Sequence, residues 1–348
     1  MPYLADNFNV AGLAVNSPTM TIPLLQPAGY RRVTGAALVA MSAIVVTGGA
    51  VRLTGSGLGC PSWPRCTAQS YTAALAFHPL VEFVNRMITI GVGAVVLLAV
   101  AGAVLRAPRR PDLVWLSLGL GAGYVGQAVL GGLTVLFELR PELVMAHFLL
   151  SMLLLWDAFA LHSRAGAATA TKRPLVRREV VLLSRAVTAT AALVLLLGTV
   201  VTGTGPNSGS RAVYRLPFEL REVAALHSDV VLFLLGMTAA LVVLLRVVDA
   251  PPAARRRGTL LVAVMAAQSA VGFTQYALGL PRLLVGVHIA GATAFWLAAL
   301  WLAESLHERP AAVPAMATLP AQPLAVLAES PVQRRNGSSA TARNSSAR

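Results

Sequence analysis

Apolar residues along this chain neither alternate nor recur at helical spacing between polar ones; they run together. Eight such runs stand out, at about 33–51, 79–105, 113–136, 142–162, 181–201, 223–246, 259–280 and 283–304. Each is near the roughly 20 residues that carry a helix across a bilayer. They are too long and too unalternating for the strands of a membrane barrel. Lipid offers no partner to a backbone amide, so segments of this kind satisfy their own hydrogen bonds as helices. The pattern predicts an all-α integral membrane protein with eight transmembrane helices.

Composition agrees: 56% of residues are hydrophobic and only 12% charged, where a soluble domain carries roughly a quarter charged. The net charge of +14 would suit a nucleic-acid binder, but its distribution argues against one. Arg31 and Arg32 precede the first run, Arg106, Arg109 and Arg110 follow the second, and Lys172, Arg173, Arg177 and Arg178 follow the fourth. Arg255, Arg256 and Arg257 follow the sixth, and Arg334, Arg335, Arg343 and Arg348 lie in the tail. Basic residues thus mark alternate loops. The positive-inside rule then places both termini in the cytoplasm of a multi-pass plasma-membrane protein, with the loop carrying Cys60 and Cys66 outside. The first 30 residues lack the charged start and short apolar core of a cleavable signal. Residues 310–348, rich in Pro, Ala, Ser and Arg, read as a disordered tail.

The first four runs echo the last four. "TGSG" at 54–57 returns as "TGTG" at 202–205. Gln127 stands 20 positions before His147, and Gln268 stands 20 before His288. Asn85 and His227 open the second and sixth runs at nearly the same offset. Several pairs at nearly one offset indicate a duplicated unit, so two pseudo-symmetric four-helix bundles are expected, related by an axis along the membrane normal. The organisation is a cytoplasmic tail over 1–30, an N-terminal half over 31–165, a linker over 166–180, a C-terminal half over 181–305 and a tail over 306–348.

Three histidines, His147, His227 and His288, fall inside apolar runs, where an ionisable side chain is functional by default. The alternative for each is a hydrogen bond to a neighbouring helix. Each lies roughly one to two turns below the external surface. His227 and His288 share that depth on the second and fourth helices of one bundle. Two neutral imidazoles facing across a bundle can hold haem iron from both sides; a zinc site would want further ligands, and none stands nearby. His162 and His307, at cytoplasmic helix ends, read as ordinary.

The first half departs from this pattern. Where the sixth helix has His227, the second has "VEFVNR", with Asn85 in the ligand place. A haem there would have His147 on one face and a weak ligand, water or nothing on the other, which suits a substrate site. Glu82, one turn before Asn85, could accept a proton or stabilise developing positive charge. It could equally pair with Arg86 four residues on. His78, a turn farther out, is a substitute ligand. Cys60 and Cys66 are the only cysteines, and on an oxidising face they form a disulfide. Five intervening residues favour a structural staple over a thioredoxin-type pair, although an exposed bond in a tight loop can also take electrons. Arg52, Arg65 and Arg211 could meet haem propionates at the external edge or be solvated loop charges, and they read more readily as the latter.

Together, "GGAVRLTGSGLGCPSWPRC", "EFVNR" and the single histidines of helices 4, 6 and 8 resemble bacterial haem A synthase over about residues 31–305. The resemblance implies oxidation of the C8 methyl of haem O to a formyl group, by successive hydroxylations and loss of water. It implies a haem b cofactor on His227 and His288, a substrate haem on His147 with Asn85 opposite, and Glu82 as the catalytic group. It also implies an external disulfide between Cys60 and Cys66. Many members have histidine where this chain has Asn85. Haem O synthase is the implied upstream partner, the membrane electron donor or acceptor is unassigned, and a homo-oligomer is left open. Three rivals remain: a di-haem b-type membrane electron carrier, a transporter, and an assembly factor that only carries haem. A carrier would show two full histidine pairs, and a transporter would gather its polar residues at mid-depth.

Overall fold

A computed structural model describes residues 25–167, 171–207 and 214–309. Eight helices account for almost all of it: α1 (Pro27–Leu53), α2 (Phe77–Leu105), α3 (Pro111–Leu136), α4 (Pro141–Ala165), α5 (Arg178–Thr204), α6 (Leu220–Val247), α7 (Pro252–Ala277) and α8 (Arg282–Ser305). All eight are long and apolar enough to cross a membrane. Four of them start with proline in the first turn, Pro27, Pro111, Pro141 and Pro252, where a missing amide proton is harmless and the fixed φ suits a helix. The protein is a multi-pass, all-α chain of the membrane type.

Several helices run past the apolar segment that marks them. Arg31 and Arg32 lie within α1, and Arg255, Arg256 and Arg257 within the first turns of α7. Backbone hydrogen bonding continues after hydropathy stops, because long arginine stems can carry their charge away from the apolar zone.

The helices form two rings of neighbours. In the first, α1 packs on α2, α2 on α3, α3 on α4 and α4 on α1; in the second, α5 to α8 repeat that order. This sets α2 diagonal to α4, and α6 diagonal to α8. The rings meet where α1 and α4 pack on α8 and α4 packs on α5. One apolar core runs through both, from Met41, Leu120 and Leu155 to Leu241, Leu261 and Leu302. The Trp296 indole of α8 donates to the Met152 carbonyl of α4 at 2.9 Å, fixing the seam with one buried polar contact. The outer faces stay apolar, with Trp115 74% and Val247 76% exposed.

At the end opposite the cysteine loop, Arg173–Pro174 (β1) pairs antiparallel with His307–Glu308 (β2). The linker is thereby tied to the first residues of the stretch expected as a disordered tail. Glu304 anchors the same corner, accepting from Ser163 Oγ at 2.6 Å and from Arg309 Nε at 3.1 Å, and pairing with Lys172. Residues 1–24 and 310–348, which hold most of both expected tails, lie outside the described residues.

Candidate haem-binding site

The three intramembrane histidines occupy equivalent places. His147 is six residues past the start of α4, His288 six past the start of α8, and His227 seven past the start of α6, so each sits ~9–11 Å along its helix. All three helices start at the end that carries Cys60 and Cys66. Each ring lies against a glycine of the preceding helix. A Cβ placed on Gly131 would meet His147 Cε1 at 3.1 Å, and one on Gly198 or Gly272 would meet Cε1 of His227 or His288 at 3.3 Å. The missing side chains therefore make room for imidazole edges. Nδ1 of each ring is buried without a hydrogen-bond partner among the described residues.

The residues paired by spacing also meet. Gln127 Nε2 donates to the His147 carbonyl at 2.9 Å, and Gln268 Nε2 donates to the His288 carbonyl at 3.0 Å. Each glutamine stands one turn before its glycine, so Gln127–Gly131 and Gln268–Gly272 form a repeated seat for the next helix's histidine. The glycine half of that seat was legible as Gln-x-x-x-Gly in both copies, although the sequence reading passed over it.

His227 and His288 line one cavity of about 430 Å³ inside the second ring. Its walls are mainly apolar, including Val194, Leu195, Val231, Phe273 and Phe295, with Val144, Met145 and Phe148 contributed by α4. His147, on that same helix, turns instead to Gly131 of α3. The α4 helix thus forms a wall of the second site and carries the histidine of the first. The cavity size, the two imidazoles on its lining and the apolar walls fit an apolar macrocycle such as haem, which His227 and His288 would hold.

The first ring is closed differently. Cys60 and Cys66 form a disulfide, and the loop holding it is fastened to α2. Glu82, 4% exposed, accepts the Cys60 amide at Oε2 (2.8 Å) and Arg86 at Oε1 (2.5 Å from Nη2). Arg86 also donates to the carbonyls of Cys60, Ser62 and Arg65. Glu82 thus makes the ion pair to Arg86 that its spacing on α2 allows. Ser56 Oγ lies 3.0 Å from His78 Nδ1, which holds that ring at the loop. The Trp63 indole packs on α3 so closely that a Cβ on Gly132 would meet its Cδ2 at 2.6 Å, one residue from the seat of His147. Asn85 stands on α2, diagonal to α4, with Oδ1 buried and unpartnered among the described residues.

Arg52 corrects its sequence reading as a loop charge. It belongs to the last turn of α1 and lines the cavity of the second ring. Arg65 stays within its loop, donating to the Ala68 carbonyl at 3.1 Å, and Arg211 lies outside the described residues. No three His, Cys, Asp or Glu side chains converge among the described residues.

An eight-helix chain of the membrane type with single buried histidines on α4, α6 and α8 defines the class of protein to compare it with. The family model COX15-CtaA, described as cytochrome oxidase assembly protein, matches residues 31–207, and the chain belongs to that family. It is 34% identical over 145 residues to the heme A synthase of Geobacillus thermodenitrificans, a match covering 37% of this chain and 42% of the relative. It is 31% identical over 108 residues to the heme A synthase of Geobacillus kaustophilus (strain HTA426), covering 30% and 32%. The chain therefore spans less than half the length of these curated relatives. The family match takes in the cysteine loop, Glu82, Asn85 and His147, and ends before His227 and His288.

Proposed function

We propose that this protein is a haem A synthase, oxidising the C8 methyl of haem O to the formyl group of haem A by successive hydroxylations and loss of water. The observation that carries the reading is the unequal equipment of two like rings: a histidine pair lines a cavity of about 430 Å³ in one, and in the other a lone histidine stands on α4 with Asn85 on the diagonal helix α2. In this reading His227 and His288 hold haem b, and His147 receives the substrate haem with Asn85 opposite. Bound haem supplies the oxidising chemistry, which side chains alone lack. The protein's share is to bind, orient and shield. Gly131, Gly198 and Gly272 seat the imidazoles, Gln127 and Gln268 fix the helices that carry them, and the loop with Trp63 covers the first ring's end.

Glu82 stands at the edge of that covered site. Both its oxygens accept hydrogen bonds, from the Cys60 amide and from Arg86, and a carboxylate oxygen keeps a second lone pair that can take a proton. Glu82→Gln and Glu82→Ala separate the two roles. Glutamine can still accept the Cys60 amide but is not basic, so loss of formyl product in both variants assigns proton transfer, and loss only in the alanine variant assigns loop positioning.

The duplicated-unit reading gains support from the loops between α3 and α4 and between α7 and α8. Glu138 (φ 54°) and Leu139 (φ 59°) match Gly279 (φ 74°) and Leu280 (φ 63°). Leu139 N donates to Thr134 O at 2.7 Å, and Leu280 N donates to Gln275 O at 2.7 Å. We place the protein in the plasma membrane with both termini cytoplasmic and the disulfide loop outside, following the basic residues of alternate loops. A haem O synthase would then act upstream.

The deciding experiment is mass analysis of haems extracted from haem O-producing cells with and without this protein. Formyl haem, or its hydroxymethyl precursor, is the expected new species. Untouched haem O beside protein loaded with haem b would overturn the synthase and favour the di-haem carrier.

A further inference from the structure

The cavity between α5, α6, α7 and α8 has an unbalanced charge. Among the described residues its lining holds two guanidinium groups, Arg52 and Arg221, and neither aspartate nor glutamate. Arg52 comes from the other ring. From the last turn of α1 it crosses the seam and donates from Nη2 to the Thr202 carbonyl of α5 at 3.3 Å, while its Nε is buried with no partner among the described residues. Gln275 Oε1, also on the lining, is buried and unpartnered too. Arg221 sits in the first turn of α6, six residues before His227. One turn of helix rises about 5.4 Å, so this cation lies well over one turn nearer the loop end than the imidazole. The cavity is thus apolar in its body, coordinating at mid-length and cationic at one end. An arginine stripped of water and left half-bonded is costly unless an anion completes it.

We propose that Arg52 and Arg221 bind the carboxylate edge of the macrocycle held between His227 and His288, with Arg52 as the principal anchor. The proposal rests on the haem reading of this cavity and adds what that reading leaves out: the second ring's site is completed by a residue of the first. The carboxylates then point toward the disulfide-loop end, and the bound group is fixed in one of its orientations. Because Arg52 lies two residues before Thr54, whose Oγ1 is 2.9 Å from Ser56 Oγ, the anchor is continuous with the loop that covers the first ring.

The test uses the full-length protein, purified from haem-depleted cells and titrated with haem b and with haem b dimethyl ester, whose carboxylates are masked. A charge-assisted pair in a desolvated site predicts that the wild type prefers the free acid by roughly ten- to a hundred-fold. Arg52→Gln should lose most of that preference by weakening acid binding while leaving ester binding unchanged. Arg52→Lys should keep part of it, and Arg221→Gln should lose a smaller share. The midpoint potential of the bound haem should fall in Arg52→Gln, because a cation beside it is gone. Equal weakening toward acid and ester would make Arg52 a packing residue and overturn the proposal, as would an unchanged acid-to-ester ratio. His227→Ala and His288→Ala give the separate control. Undiminished haem binding in those variants would sink the haem reading itself, whereas its loss beside an unchanged ratio in Arg52→Gln sinks only the arginine.

Discussion

The two rings share a helix order, a histidine seat and a loop conformation, yet their ends are finished in opposite ways. The second ring is left with a cavity that His227, His288 and a lone cationic edge all address. In the first, Trp63 rests on α3 beside the seat of His147, and Glu82 with Arg86 fastens the loop that carries it. The contrast suits a lasting cofactor on one side and a transient guest on the other. A permanent site gains from two strong axial ligands and a buried counter-charge. A site that must admit and release a large apolar molecule gains from one strong ligand and a cover that is fastened by side chains rather than built from a helix.

The contrast can be broken most severely at the full pair. His227→Ala or His288→Ala should remove almost all b-type haem from purified protein, measured as haem per chain by the pyridine haemochrome spectrum; full haem content in either would erase the distinction between the rings. Asn85→His tests the other side by giving α2 the ligand that α6 already has. It should raise haem content toward a second equivalent with a low-spin bis-imidazole spectrum, and unchanged content would mean that the first ring's diagonal does not take a macrocycle.

Valine at the glycine seats should separate the rings further. The added atoms would press on rings already 3.1 and 3.3 Å from a Cβ at Gly131 and Gly272, an overpacking strain of about 1–3 kcal/mol. Gly272→Val should lower haem b retention, whereas Gly131→Val should keep the cofactor and lower product yield. If both variants lost the same haem, the two seats would serve one site. The smallest expected effect comes from the loops. Glu138 is exposed and left-handed (φ 54°) where the other ring uses Gly279. Glu138→Gly should relieve about 1 kcal/mol of backbone strain and raise the melting temperature in detergent by a few degrees; a lower value would mean the Glu138 side chain makes a contact worth more than its strain.

Much of this was visible in one dimension, because the membrane imposes a one-dimensional rule. A segment that must satisfy its backbone in lipid is a helix of fixed minimum length, so eight runs became eight helices. Equal spacing singled out Gln127 with His147 and Gln268 with His288, and the fold adds a hydrogen bond within each pair. The short strands at Arg173–Pro174 and His307–Glu308 left no such mark, since two residues have no period to read.

What the chain determined alone was therefore the helices, their order and the depth of each histidine, all set by local hydropathy and a fixed rise per residue. What only tertiary structure decided was the identity of neighbours across helices. Arg52 looked like a loop charge until α1 packed against α8 and brought it to the second cavity. Glu82 could be matched to Arg86 by spacing, but the Cys60 amide reached its other oxygen only when the loop folded back. Trp63 was one more residue of a proline-rich loop until it met Gly132. The contacts of Arg52, of Trp63 and of the Cys60 amide join positions far apart in the chain, and no spacing rule fixes them; only Glu82 with Arg86, four residues apart on one helix, was readable from spacing. Their partners are chosen by how whole helices pack.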